Sequence, residues 1–126
     1  MAVKIDRELR DGYALVRFEG QESYEDALCF WKELLQESEV RDEKYFLVVG
    51  EPKKPLTPYE VQMLCLEIAR MGKGKTIAYV DPHREDYGAN MAGEKVAVNR
   101  GMNTQVFTSE KDAKEWLELH RENQPG

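Results

Sequence analysis

The sequence predicts an α/β protein: a mixed, mostly parallel sheet with flanking helices in the order β-β-α-β-α-β-α-β-α. Three observations carry that class. The N-terminal strings "AVKIDREL" and "YALVRFEG" alternate apolar and polar residues, as half-buried strands do. "YFLVVG" and "TIAYV" are short continuous apolar runs, the mark of strands covered on both faces and therefore parallel to a neighbour. Around them lie segments with apolar residues at helical spacing. Strands alternating with helices after a hairpin build such a sheet, with one antiparallel edge.

Each element follows from local chemistry. Arg10-Asp11-Gly12 is a turn short enough to join the first two strands as a hairpin. Ser23 opens a helix: its hydroxyl can cap free N–H groups, and Glu25 and Asp26 put negative charge in the positive first turn. Tyr24, Ala27, Leu28, Trp31, Leu34 and Leu35 form its apolar stripe, and "VRDEK" ends it. The second helix starts at "TPYE", where Thr57 caps, Pro58 suits the first helical position and Glu60 completes a capping box. Val61, Leu64, Cys65 and Ile68 face inward, and the helix runs to about Met71. "DPHREDYG" is a loop, residues 87 to 100 a third helix closed by Gly101, and "TQVFT" a last strand. Ser109 begins a final helix with Ala113, Trp116 and Leu117 inward, and the tail "RENQPG" is expected to fray.

A chain of 126 residues is expected to form a single domain over 1–126 with a proper core. A net charge of −6 argues against broad binding to nucleic acid or to an anionic membrane surface, which both need a concentrated basic face. The N-terminus lacks the apolar core of a signal peptide, and no apolar run is long enough for a transmembrane segment. The expected location is therefore cytoplasmic. Cys29 and Cys65 are far apart and outside any metal-spaced pattern, so both read as free thiols.

The stretch "MGKGKT" resembles a phosphate-binding loop. The pattern G-x-x-x-x-G-K-S/T, however, would need glycine at position 69, where Ala69 stands. The context also fails, because a phosphate loop leaves a strand and enters a helix, whereas this run leaves a helix and enters a strand. Gly72 instead falls where a helix takes a left-handed C-terminal cap, with Lys73 and Lys75 suited to the negative end of the dipole.

Ligands of open α/β sheets bind at the carboxyl ends of parallel strands. The loops "EPKKPLTP" and "DPHREDYG" leave two such ends and lead into helix N-termini, where free N–H groups can hold an anion. Together they present Lys53, Lys54, Thr57, Asp81, His83, Arg84 and Tyr87. These read either as a site for an anionic headgroup or as two solvated loops with their caps, and the plainer reading is preferred. A metal at His83 needs converging partners, and the only other histidine, His120, lies in the last helix. No nucleophile elbow or Cys–His setting is present, so no catalytic residue, metal or cofactor is expected. An enzyme centred on His83 would have that residue as its only support.

Tyr59, Met63 and Leu66 form a second apolar line on the second helix, nearly opposite the first. The third helix carries Tyr87, Met91 and Val98 on one face and Ala89, Gly93 and Val96 on another. Helix–helix packing, a subunit interface and the wall of an apolar pocket compete to explain these faces.

The opening hairpin ending in "VRFEG", the loop "VDPHREDYG" and the ending "VFTSEKDAKEWL" together resemble the SpoIIAA-like family of bacterial proteins, STAS-type in fold, over residues 3 to 119. The resemblance implies a mixed sheet with surrounding helices and no catalytic machinery. STAS domains act as protein-interaction modules, notably as anti-sigma-factor antagonists; related CRAL-TRIO domains hold lipids. The antagonists carry a phosphorylated serine in an Asp-x-Ser-Gly segment at the second helix. The comparable segment here is "PLTPYE", with Thr57 as the nearest hydroxyl.

The expectation is a non-enzymatic interaction or regulatory module working through protein contacts, as a homodimer. The alternative is a small apolar or lipid-like ligand, with membrane association, between the second and third helices. Its pocket would lie between Tyr59, Met63 and Met91, with the headgroup near Lys53, Thr57 and Tyr87.

Overall fold

The computed structural model describes residues 3–122. β1 (Lys4–Arg10) and β2 (Tyr13–Glu19) form a hairpin, followed by α1 (Tyr24–Arg41), β3 (Tyr45–Glu51) and α2 (Pro58–Gly72). Then come β4 (Thr76–Val80), a 3-10 turn (Arg84–Asp86), α3 (Tyr87–Asn99), β5 (Asn103–Phe107) and α4 (Glu110–Glu122). The five strands make one mixed sheet in the order β1-β2-β3-β4-β5, antiparallel only between β1 and β2. Of the tail, Arg121 and Glu122 belong to α4, and the remainder lies outside the described residues. Among the described residues, no helix is long and apolar enough to cross a membrane.

Consecutive strands step in one direction from β2 to β5, and parallel crossovers are right-handed. All three connecting helices therefore land on one face. The core there joins Ala14, Val16 and Phe18 of β2, Phe46 and Val48 of β3, and Ile77 of β4 to apolar residues of α1 and α2. Among the described residues, only α4 lies on the opposite face, where Ala113 and Leu117 pack with Leu15, Leu47, Val49, Ala78 and Val80. The two-residue alternation of the strands sorts their side chains between these cores. Phe30 and Ser38 are buried in α1 beyond its expected stripe, the Ser38 hydroxyl donating to the Leu35 carbonyl at 2.6 Å.

The helix starts are capped as their sequences require. The Ser23 hydroxyl accepts from the Asp26 N–H at 3.1 Å, and Thr57 and Glu60 complete a reciprocal box at 3.1 and 3.0 Å. The end of α2 differs from expectation. Gly72 is its last residue and is buried against Met102; a Cβ there would sit 3.0 Å from the Met102 sulfur. The left-handed residue is Gly74, at φ 83°. Lys75 is likewise buried: its ammonium donates to the Glu43 carbonyl at 2.8 Å and pairs with Glu39 at 3.3 Å. The chain turns two residues later because packing against Met102 claims Gly72 for the helix.

Candidate functional site

A cavity of about 90 Å³ lies between α2, α3 and the sheet, running inward from the carboxyl ends of the parallel strands. Its walls are mainly apolar: Val61, Leu64, Cys65 and Ile68 from α2, Ala89 and Ala97 from α3, and Ile77 and Val106 from the strands. Two close approaches shape it. A Cβ on Gly93 would stand 2.7 Å from Val61 and 2.8 Å from Cys65, so glycine lets α3 lie directly against α2. A Cβ on Gly50 would stand 2.5 Å from the Tyr79 hydroxyl, so the bare backbone of β3 leaves room for the phenol.

Polar groups gather at the outer end. Asp81 follows directly after β4 and is only 4% exposed. One carboxylate oxygen accepts the His83 N–H at 2.9 Å and meets the His83 Nδ1 at 3.0 Å, and the other accepts from Asn90 at 3.3 Å. Asp86, in the 3-10 turn, is pushed up to about 6 by burial and then by its hydrogen bond and charge contact with Asp81. The hydrogen bond to Asp81 raises His83 above its ordinary value. Burial, then the Asp81 charge, drives the Tyr79 phenol far up, and burial pushes the Cys65 thiol up to about 12. Glu94 of α3 turns one oxygen to the Val106 N–H at 2.7 Å, covering an outward donor of the edge strand β5. Gln21, 4% exposed, donates its amide to the Lys54 carbonyl at 3.2 Å.

Of the residues singled out from the sequence, Asp81 and Ala89 line this cavity, but Lys53, Lys54, Thr57, Tyr59, Met63, Leu66, His83, Arg84, Tyr87 and Met91 do not. Lys53 and Lys54 are exposed; Lys53 pairs with Glu22 at 3.2 Å, and both lysine N–H groups donate to the Gln21 carbonyl. The Thr57 hydroxyl is occupied by its cap. Tyr59 is 71% exposed, and Arg84 and Tyr87 are also exposed, all three at the same end of the sheet as the cavity's polar edge. Met63, Leu66 and Met91 are half-buried, on helices that pack closely together. His83 alone touches the polar cluster, through Asp81. His120 lies in α4, stacked on Trp116, away from His83.

The charge at the site has the same sign as the anionic headgroup considered from the sequence and would repel it. Capping uses the α2 N-terminus, and the cavity edge carries Asp81, Asp86 and Glu94. Asp81 was legible as a loop residue, and Asp86, Asn90 and Glu94 recur every four residues from the start of α3, whereas Gln21 and Tyr79 come from separate segments. The signal available was a carboxylate placed immediately after a buried parallel strand, where α/β sheets hold ligands. Compared with models of known protein families and with curated proteins, the chain matches none.

Proposed function

We propose that the protein is a non-enzymatic cytoplasmic binding module of SpoIIAA-like, STAS-type architecture that takes a small, mainly apolar ligand beneath α2 and α3. The observation that carries this reading is the apolar-walled cavity with a polar edge at the carboxyl ends of the strands. Its volume of about 90 Å³ sets the ligand's size. Pockets that enclose drug-sized molecules start at roughly 300 Å³, so this one takes a small molecule or the end of a longer chain rather than a whole lipid. The family reading rests on the strings "VRFEG", "VDPHREDYG" and "VFTSEKDAKEWL".

Native mass spectrometry of freshly purified protein tests the reading. A retained mass that vanishes on denaturation is expected, and a bare chain that also accepts no small apolar probe would sink it.

One observation favours a second reading, in which the module works through protein contacts. Tyr59 and Tyr87 are both exposed, at the starts of adjacent helices, and tyrosine suits interfaces. If these residues seat a second copy, light scattering will give a doubled mass that falls when both are changed to Ser; a monomer at high concentration removes this reading. Met63 and Leu66 are poorer anchors because the monomer already half-buries them.

A further inference from the structure

We propose that the cavity selects a ligand carrying a protonated primary amine on a small apolar body, with the ammonium held among Asp81, Asp86 and Glu94. The inference rests on the ligand-binding reading above and names its chemical class.

Three carboxyl groups line the cavity, and no lysine, arginine or histidine lines it among the described residues. Apart from the Tyr79 hydroxyl, the donors of the polar side chains around it are engaged with protein groups. The Gln21 amide donates to Lys54, the Asn90 amide to Asp81, and the Thr104 hydroxyl to the Ile77 carbonyl at 2.7 Å. Acceptors remain. The second oxygen of Glu94, the Asp86 carboxyl and the Gln21 Oε1 receive no N–H among the described residues. His83 lies outside the lining and can offset at most one of the three carboxylates.

Three carboxyl groups at one edge of a cavity that no cationic side chain lines favour a ligand that brings positive charge and N–H groups. An ammonium supplies three donors and one charge in a compact group, and the apolar walls below suit the carbon body attached to it. A carboxylate or phosphate ligand would meet like charge. A purely apolar ligand would leave the acceptors unmet. Asp81, His83 and Asp86 also bring donor atoms within 4.8 Å of one another, so a divalent ion is the rival cation for the same carboxylates.

The test is an NMR titration of the full ¹⁵N-labelled chain at pH 7 with butylamine, butanol and butanoate, and separately with Mn²⁺. Butylamine is expected to shift cavity resonances and to bind at least about tenfold tighter than butanol, a gain of ~1.4 kcal/mol, within reach of one charge-assisted hydrogen bond. Butanoate should bind more weakly than butanol. Asp86→Asn should remove most of the amine's advantage over butanol. Glu94→Gln, which keeps an oxygen for the Val106 N–H, should do the same more mildly and serves if Asp86→Asn misfolds. Equal binding of amine and alcohol would overturn the proposal but keep the cavity as a ligand site. No shift with any of the three would overturn both. Mn²⁺ broadening Asp81, His83 and Asp86 at lower concentration than the amine acts would assign the carboxylates to a metal instead, also overturning the proposal.

Discussion

On one face of the sheet, Ala113 and Leu117 of α4 are wholly buried against Leu47, Val49, Ala78 and Val80. On the other, three helices span the same strands and leave a 90 Å³ void between Tyr79, Cys65, Ala97 and Glu94. The single helix seals the strip of sheet that it crosses, and the three helices leave a gap beneath them. Small residues explain the gap: Ala89 and Ala97 line the cavity from α3, and Gly93 fixes how closely that helix meets α2. Polar residues explain why it is not simply filled. Asp81 is bound to its own loop, and Glu94 to the edge of β5. The α4 face therefore serves stability, while the α2–α3 face gives up some packing for a polar pocket.

That contrast can be broken by experiment, beginning with the thiol in the cavity wall. Raising Cys65 from 9.0 to about 12 reduces its thiolate population about a thousandfold. A thiol reagent at pH 8 should therefore modify exposed Cys29 first and Cys65 orders of magnitude later. Equal rates would mean that water reaches the cavity wall freely.

Truncation on the sealed face comes next. Leu117→Ala should cost about 2–5 kcal/mol in urea denaturation, because a fully buried side chain leaves a hole that the strands cannot close. A loss below about 1 kcal/mol would show that the α4 face is looser than its burial indicates.

A matched pair of enlargements sharpens the comparison further. Ala113→Leu inserts volume into a sealed contact and should destabilise by about 1–3 kcal/mol. Ala89→Leu directs the same atoms toward the void and should stay within about 1 kcal/mol of the parent, or stabilise it, while reducing ligand uptake. Equal penalties would contradict the contrast between the faces.

The smallest expected effect is on pH. Asp86 holds its proton to about 6, against 3.8 in its reference state. Between those values the folded protein binds more protons than the unfolded chain, so Asp86 makes stability fall as pH rises through that window. Asp86→Asn should flatten this slope in denaturation series between pH 4 and 6.5. The group is partly exposed, so solvent screening keeps the effect small.

The α/β class was legible because its signals are local. "YFLVVG" and "TIAYV" announce buried strands, and Ser23 and Thr57 announce helix starts through their own hydroxyls. The end of α2 was not fully legible, since the choice between Gly72 and Gly74 depends on Met102, thirty residues further along the chain. The site was legible only as a place. Polar loops at the carboxyl ends of strands were visible, but the eye falls on Lys53, Lys54 and His83, the charged residues of the loops themselves. The residues that line the cavity are drawn together by sheet register and helix packing. Glu94 reads as an ordinary surface residue until β5 is placed beneath it, and Tyr79 as an ordinary strand residue until Gly50 opens the space beside it.

The most direct test of the central claim, that the two faces differ by one enterable cavity, is diffraction from crystals pressurised with xenon, which occupies apolar cavities in proteins. A xenon site is expected among Leu64, Cys65, Ile77 and Tyr79, with none between α4 and the sheet. No xenon beneath α2 and α3, or equal occupancy on the α4 face, would contradict it.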